Sequence, residues 1–264
     1  MNNVNKTLYI PLYGKAYVSK KGVILDDKRA EEIWSKEGFE LKGKSKSKWL
    51  AYYMGIRSKV FDVWLRQKMD EMENAIIIHI GCGMDSRAER VGTKGHLWYD
   101  VDFPEVIRER KRYYEETKEY HMVASDARKQ EWISALPDDR PAIVVMEGLS
   151  MYLALEELEE LLTALKNHFT SVYLLMDCYT TFAAKASKYK NPINDVGVTK
   201  VYGLDDPTIL QKEGIVFVKE HEMTPQSLIN ELKGIEKFIF AKLYAGSIAK
   251  KMYRQYEYAY RKEI

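Results

Sequence analysis

The sequence predicts a doubly wound α/β fold on a mostly parallel sheet. Three observations carry this. From Ala75 onward, short apolar runs alternate with segments of helical spacing. The runs are continuously apolar rather than alternating, which marks strands covered on both faces. The residues that follow several runs are glycines or acids, the types suited to the ligand edge of such a sheet.

The elements follow in chain order. Before Ala75 the segments read as helices and loops. Asp26 to Ser35 opens with acids, which favour a helix N-terminus. Lys42 to Lys48 (KGKSKSK) reads as a solvated loop. Arg57 to Met69 places Val60, Phe61, Trp64, Leu65 and Met69 at helical spacing. The predicted strands are Ala75 to Ile80, Leu97 to Val101, His121 to Ala124, Ala142 to Met146 and Val172 to Met176. Pro104 sits just inside a helix start, where its missing N–H costs nothing. Leu155 to His168 forms one apolar stripe of leucines, with Glu156, Glu157, Glu159 and Glu160 near its positive N-terminus. A polar insertion from about Thr180 to Val201 follows Cys178, then a strand at Ile215 to Lys219. The alternating segment Tyr256 to Tyr260 reads as a final strand with packing tyrosines.

The ends of the strands carry the chemistry. Gly81-Cys82-Gly83 directly follows the first run and precedes a helix. Two glycines there allow a tight turn and close approach of backbone to a ligand. Asp100 and Asp102 end the second run, where an acid can accept hydrogen bonds from both hydroxyls of a ribose. Asp126 and Glu147 follow the next two runs. Each acid alone could equally cap a helix. Together, acids at three successive strand ends favour a ligand site.

Composition excludes several classes. The 264 residues carry 41 lysines and arginines against 39 aspartates and glutamates, a net charge of +2. That near-balance suggests neither a nucleic-acid nor a membrane partner. Two distant cysteines, Cys82 and Cys178, make no disulfide framework and fit a reducing compartment. The five histidines form no metal-ligand spacing, so no metal is expected. The N-terminus lacks the apolar core of a signal peptide and no run reaches the ~20 residues of a membrane span, so the chain reads as cytoplasmic.

Three strings make a more specific pattern: IHIGCGMDSR, WYDVDFPEVI and EGLSMYL, in that order. With LDDKRAEEI and IRSKVFD upstream, they resemble the leucine carboxyl methyltransferase family, nearest to its bacterial tetracenomycin-type polyketide O-methyltransferase branch. The resemblance covers about residues 25 to 221. Ser86 stands where that branch usually has Thr, and His79-Ile80 where Asn-Leu is common.

The resemblance implies a Rossmann-like class I methyltransferase fold in a single domain. Residues 1–73 would form a helical cover, and the core from 74 would carry the insertion over the site. It implies S-adenosylmethionine as cofactor. Arg57 would pair with the carboxylate of its methionine part, and Gly81 and Gly83 would pass close to that part. Asp102, rather than Asp100, would hold the ribose. Asp126 and Ala127 would flank the adenine, and Glu147 would line the pocket near the sulfonium. His79 reads as a core residue. Arg57, Tyr152 and Tyr179 are candidates to hold the acceptor, expected to be a small molecule methylated on a carboxylate or hydroxyl. Open beside this are methylation of a protein C-terminal carboxylate, a non-catalytic cofactor-binding module and an NAD-dependent oxidoreductase. In the last case Ser86 stands where the dinucleotide fingerprint wants Gly or Ala.

Overall fold

The computed structural model describes residues 8–37, 41, 43–190 and 200–261. Seven strands form one sheet in the order β3-β2-β1-β4-β5-β7-β6. They are β1 Ile76–Ile80, β2 Trp98–Asp102, β3 Tyr120–Ala124, β4 Ala142–Met146, β5 Ser171–Tyr179, β6 Val216–His221 and β7 Tyr253–Arg261. The pairs among β1 to β5 are parallel, and β7 runs antiparallel to both of its neighbours. Each predicted strand is present. β5 extends three residues beyond Met176, because Asp177, Cys178 and Tyr179 continue to pair with β7.

The helices are α1 Tyr9–Lys20, α2 Lys28–Glu37, α3 Lys48–Glu71, α4 Arg87–Val91, α5 Pro104–Arg110, α6 Leu155–His168, α7 Thr181–Lys190, α8 Gln226–Ile229, α9 Gly234–Leu243 and α10 Ser247–Met252. Both faces of the sheet are covered at β1, β4 and β5, which explains why those strand sequences do not alternate. On one face Ile76, Ile78, Ile80, Val144 and Met146 pack with Leu158, Leu161, Leu162 and Leu165 of α6. On the other, Ile77, Ile143, Val145 and Leu175 pack with Phe61, Trp64, Leu65 and Met69 of α3.

α3 begins nine residues before the expected Arg57. Ser47 caps it, accepting a hydrogen bond from the Trp49 N–H at 3.3 Å. Its added turns bury Tyr52, Tyr53, Met54 and Ile56 in a third cluster with Val18 of α1 and Phe240 of α9. The Lys42 to Lys48 stretch is therefore not loop throughout: Gly43–Lys46 is a 3-10 turn, and Lys48 opens α3. The start of the expected insertion forms α7, and residues 191–199 of it lie outside the described residues. The helices α8 to α10 between β6 and β7 were not anticipated. No helix among the described residues is long and apolar enough to cross a membrane.

β1 lies between β2 and β4, so the chain leaves it toward opposite sides of the sheet. The carboxyl ends of β1 and β4 thus border a topological switch point, where open α/β sheets receive ligands.

Candidate functional site

A cavity of about 190 Å3 lies at this switch point, between the strand ends and helices α1 and α3. Its floor is the turn after β1. Gly81 and Gly83 have φ of +70° and +52°, a left-handed backbone that glycine adopts without strain. A Cβ on Gly81 would also come within 3.1 Å of Leu149. The ladder sets this turn beside the end of β2, with the Gly81 N–H bonded to the Val101 carbonyl at 2.8 Å.

Asp102 follows directly. Its two oxygens accept hydrogen bonds from the Gly83 and Phe103 N–H groups, both at 2.7 Å. No cation among the described residues lies within ion-pair distance of it. Burial pushes its carboxyl up to about 6, and those two N–H groups pull only partly against it. Asp100 has the opposite setting. It is fully buried, ion-paired with Arg110, and accepts from Tyr120 at 2.6 Å and Trp98 at 2.8 Å. Although burial opposes it, Arg110 and His79 bring Asp100 down to about 2. The two acids share a face of one strand, yet only Asp102 reaches the cavity.

The opposite wall is ionic. Arg57, on α3, meets Glu147 after β4 at 3.0 Å and Asp177 of β5 at 3.1 Å. Glu147 also takes an ion pair from Arg87 on α4. Asp177 is fixed from its other side by the Gly148 N–H at 2.6 Å. Lys15 of α1 pairs with Asp85 at 2.8 Å, and both side chains are about 95% buried. Burial alone would raise Glu147, but Lys15, Arg87 and Arg57 hold it below the usual carboxylate range. Behind them Asp62, Asp27 and Arg90 extend the network. The network sets five carboxylates against four cations, so it has no surplus positive charge.

Of the residues singled out from sequence, Arg57, Gly81, Gly83, Asp102 and Glu147 line this one cavity, as do Tyr152 and Tyr179. Asp126 and Ala127 do not. Asp126 instead ion-pairs with Arg128 at 2.5 Å, and Ala127 packs against the core. His79 is buried, 3.4 Å from both Asp100 and Arg87. Lys15, Asp85 and Asp177 were missed. Lys15 falls on the buried side of α1, where the sequence marks neither a ligand nor a partner for it, while Tyr9, Tyr13, Tyr17 and Lys20 form the less buried side. Asp177 sits where a longer reading of the fifth strand would have found it. No group of three or more metal-ligating side chains occurs among the described residues.

Known proteins give this geometry a family. The chain is 26% identical over 245 residues to the tetracenomycin polyketide synthesis O-methyltransferase TcmP of Streptomyces glaucescens, covering 91% of each. It is 27% identical to the S-adenosyl-L-methionine-dependent methyltransferase dpfgK of Gibberella zeae, covering 80% of this chain and 78% of that one. The fold matches a crystal structure of a DUF574 family protein from Streptomyces avermitilis, with a TM-score of 0.58 at 13% identity, covering 95% and 97% of the two chains. It also matches magnesium protoporphyrin IX methyltransferase from Synechocystis with bound SAH, with a TM-score of 0.52 at 13% identity, covering 94% and 97%. The leucine carboxyl methyltransferase model matches residues 8–166, from the start of α1 through most of α6. The chain belongs to the leucine carboxyl methyltransferase family.

Proposed function

We propose that this protein is an S-adenosylmethionine-dependent O-methyltransferase acting on a carboxylate or hydroxyl of a small molecule. One observation carries the reading. Asp102, oriented by backbone N–H groups and left without a cation, faces the same cavity as the buried cations Arg57 and Lys15. That donor set fits the cofactor. A carboxylate with spare lone pairs suits a ribose diol, the Gly81–Gly83 backbone suits close approach, and Arg57 with Lys15 suits an amino-acid carboxylate. Arg57 and Lys15 are already neutralised by Glu147, Asp177 and Asp85. Those pairs leave N–H donors on both side chains unused, so each can still meet a ligand carboxylate.

When bound, S-adenosylmethionine supplies an electrophilic methyl group, so the hard chemistry is the cofactor's. The chain's part is positioning and exclusion of water. Leu8, Ile10, Pro11 and Leu12, at the start of α1, wall the cavity against solvent. Tyr152, Tyr179 and Tyr253 line it near Arg57. Burial pushes the Tyr152 and Tyr253 phenols up, so they stay protonated and can donate to an acceptor oxygen. An acceptor carboxylate is already ionised at pH 7 and needs no base. The small-molecule acceptor rests on the full-length likeness to TcmP.

The test is transfer of labelled methyl from S-adenosylmethionine to a panel of aromatic acids, phenols and a peptide ending in leucine. Label in a small molecule supports the reading. Release of that label by mild alkali identifies an ester, and retention identifies an ether. Label only in the peptide, or in nothing, rejects it.

A further inference from the structure

The whole-chain charge of +2 hides a local asymmetry. Between residues 233 and 254 lie five lysines and Arg254 against one acid, Glu236. Glu236 points inward, where Lys48 at 2.8 Å and Lys21 neutralise it. Arg254 pairs with Glu220 at 2.8 Å. Lys233, Lys237, Lys242, Lys250 and Lys251 pair with no carboxylate among the described residues, and all but the half-buried Lys237 are exposed.

Large apolar side chains stand among these lysines. On α9, Phe240 is fully buried against Tyr52. At 3.6 residues per turn, the positions opposite Phe240 are Ile235, Phe238 and Lys242. Ile235 is 74% exposed and Phe238 61%. Leu243, Ile248 of α10 and Phe182 of α7 are also exposed, and α10 packs against α7. Single exposed apolar residues are ordinary, but five on neighbouring helices are not. The same helices adjoin elements that line the cavity. Tyr253 follows α10, Tyr179 precedes α7, and α9 stacks on the end of α3 that carries Leu50 and Met54, all four residues being cavity lining.

We propose that the α9–α10 face, with Phe182, docks the protein on an anionic lipid bilayer. Its apolar side chains would enter the acyl boundary and its unpaired lysines would meet lipid phosphates. An outward helix face with apolar residues flanked by lysines and free of acids is the pattern of an interfacial helix. This departs from the expectation of no membrane partner, which rested on averaged charge, and it is independent of the proposed chemistry.

The full-length protein is sedimented with vesicles of phosphatidylcholine alone and of phosphatidylcholine mixed with phosphatidylglycerol. We expect binding to the mixed vesicles at low salt, weakening as salt rises, and at least tenfold less to the neutral ones. Lys242→Glu with Lys250→Glu, and separately Ile235→Ser with Phe238→Ser, should each reduce binding at least tenfold. All four positions are at least partly exposed, and an unchanged melting temperature checks the fold. No binding to the anionic vesicles, or binding that survives both variants, overturns the proposal. So does a concentration-dependent dimer abolished by Ile235→Ser with Phe238→Ser, which would make this face an interface between copies.

Discussion

Replacing Asp102 with alanine should weaken cofactor binding without weakening the fold, and replacing Asp100 should do the reverse. Among the described residues Asp102 is held by the Gly83 and Phe103 N–H groups, which lie at the ends of the β1 and β2 strands that their ladder already fixes. Its removal costs the apoprotein little, because ionising this buried group is unfavourable before a ligand arrives. Hydrogen bonds to a charged acceptor contribute about 1.5–3 kcal/mol, so affinity should fall roughly 10- to 150-fold. Asp100 makes no cavity contact, but its loss leaves Arg110 buried and unpaired, which costs about 3–5 kcal/mol of stability. Titration calorimetry with S-adenosylhomocysteine reads the first effect and urea denaturation the second. Acid adds a signature. Asp102 titrates near 6, above its unfolded value, so protonation favours the free protein and removes the charged acceptor a ligand needs. Affinity should therefore fall as pH drops below about 6, by up to tenfold per unit, and Asp102→Ala should flatten that dependence. An Asp102→Ala affinity within twofold of the parent, or a larger loss for Asp100→Ala, would refute the assignment.

Other substitutions probe the ionic wall and the turn. Arg57→Lys keeps the charge but cannot span Glu147 and Asp177 together, so cofactor affinity should drop more than about tenfold, or ~1.4 kcal/mol, by calorimetry. Lys15→Met should also weaken binding about tenfold or more. Its urea-unfolding free energy should fall by less than the ~3 kcal/mol of an orphaned buried ion, because Arg90 still covers Asp85 at 3.0 Å. Gly81→Ala forces a left-handed alanine against Leu149 and should lower stability by at least about 1–2 kcal/mol, read as an earlier urea midpoint.

Sequence patterns revealed the sheet because burial on both faces writes itself as uninterrupted apolar runs, and five of the seven proposed cofactor residues fell on one cavity. What was hidden depended on tertiary contact. The family resemblance marked Arg57, but its pairing with Glu147 and Asp177 was not legible, because it depends on α3 lying against the ends of β4 and β5. Lys15 could not be found because a lysine on the buried side of α1 carries no sign of the distant acid, Asp85, that pairs with it. Asp126 matched a strand-end pattern, yet Arg128 two residues on satisfies it locally at the edge strand β3. The helices between β6 and β7 are short and carry both lysines and apolar residues outward, so they gave no core stripe to read.

The most direct test of the account is calorimetric titration of the purified protein with S-adenosylmethionine, S-adenosylhomocysteine and NAD under one set of conditions. The account predicts saturable binding of both methionine-derived ligands, at one per chain, and no heat from NAD. Saturable binding of NAD with no signal from either of the other two would contradict it.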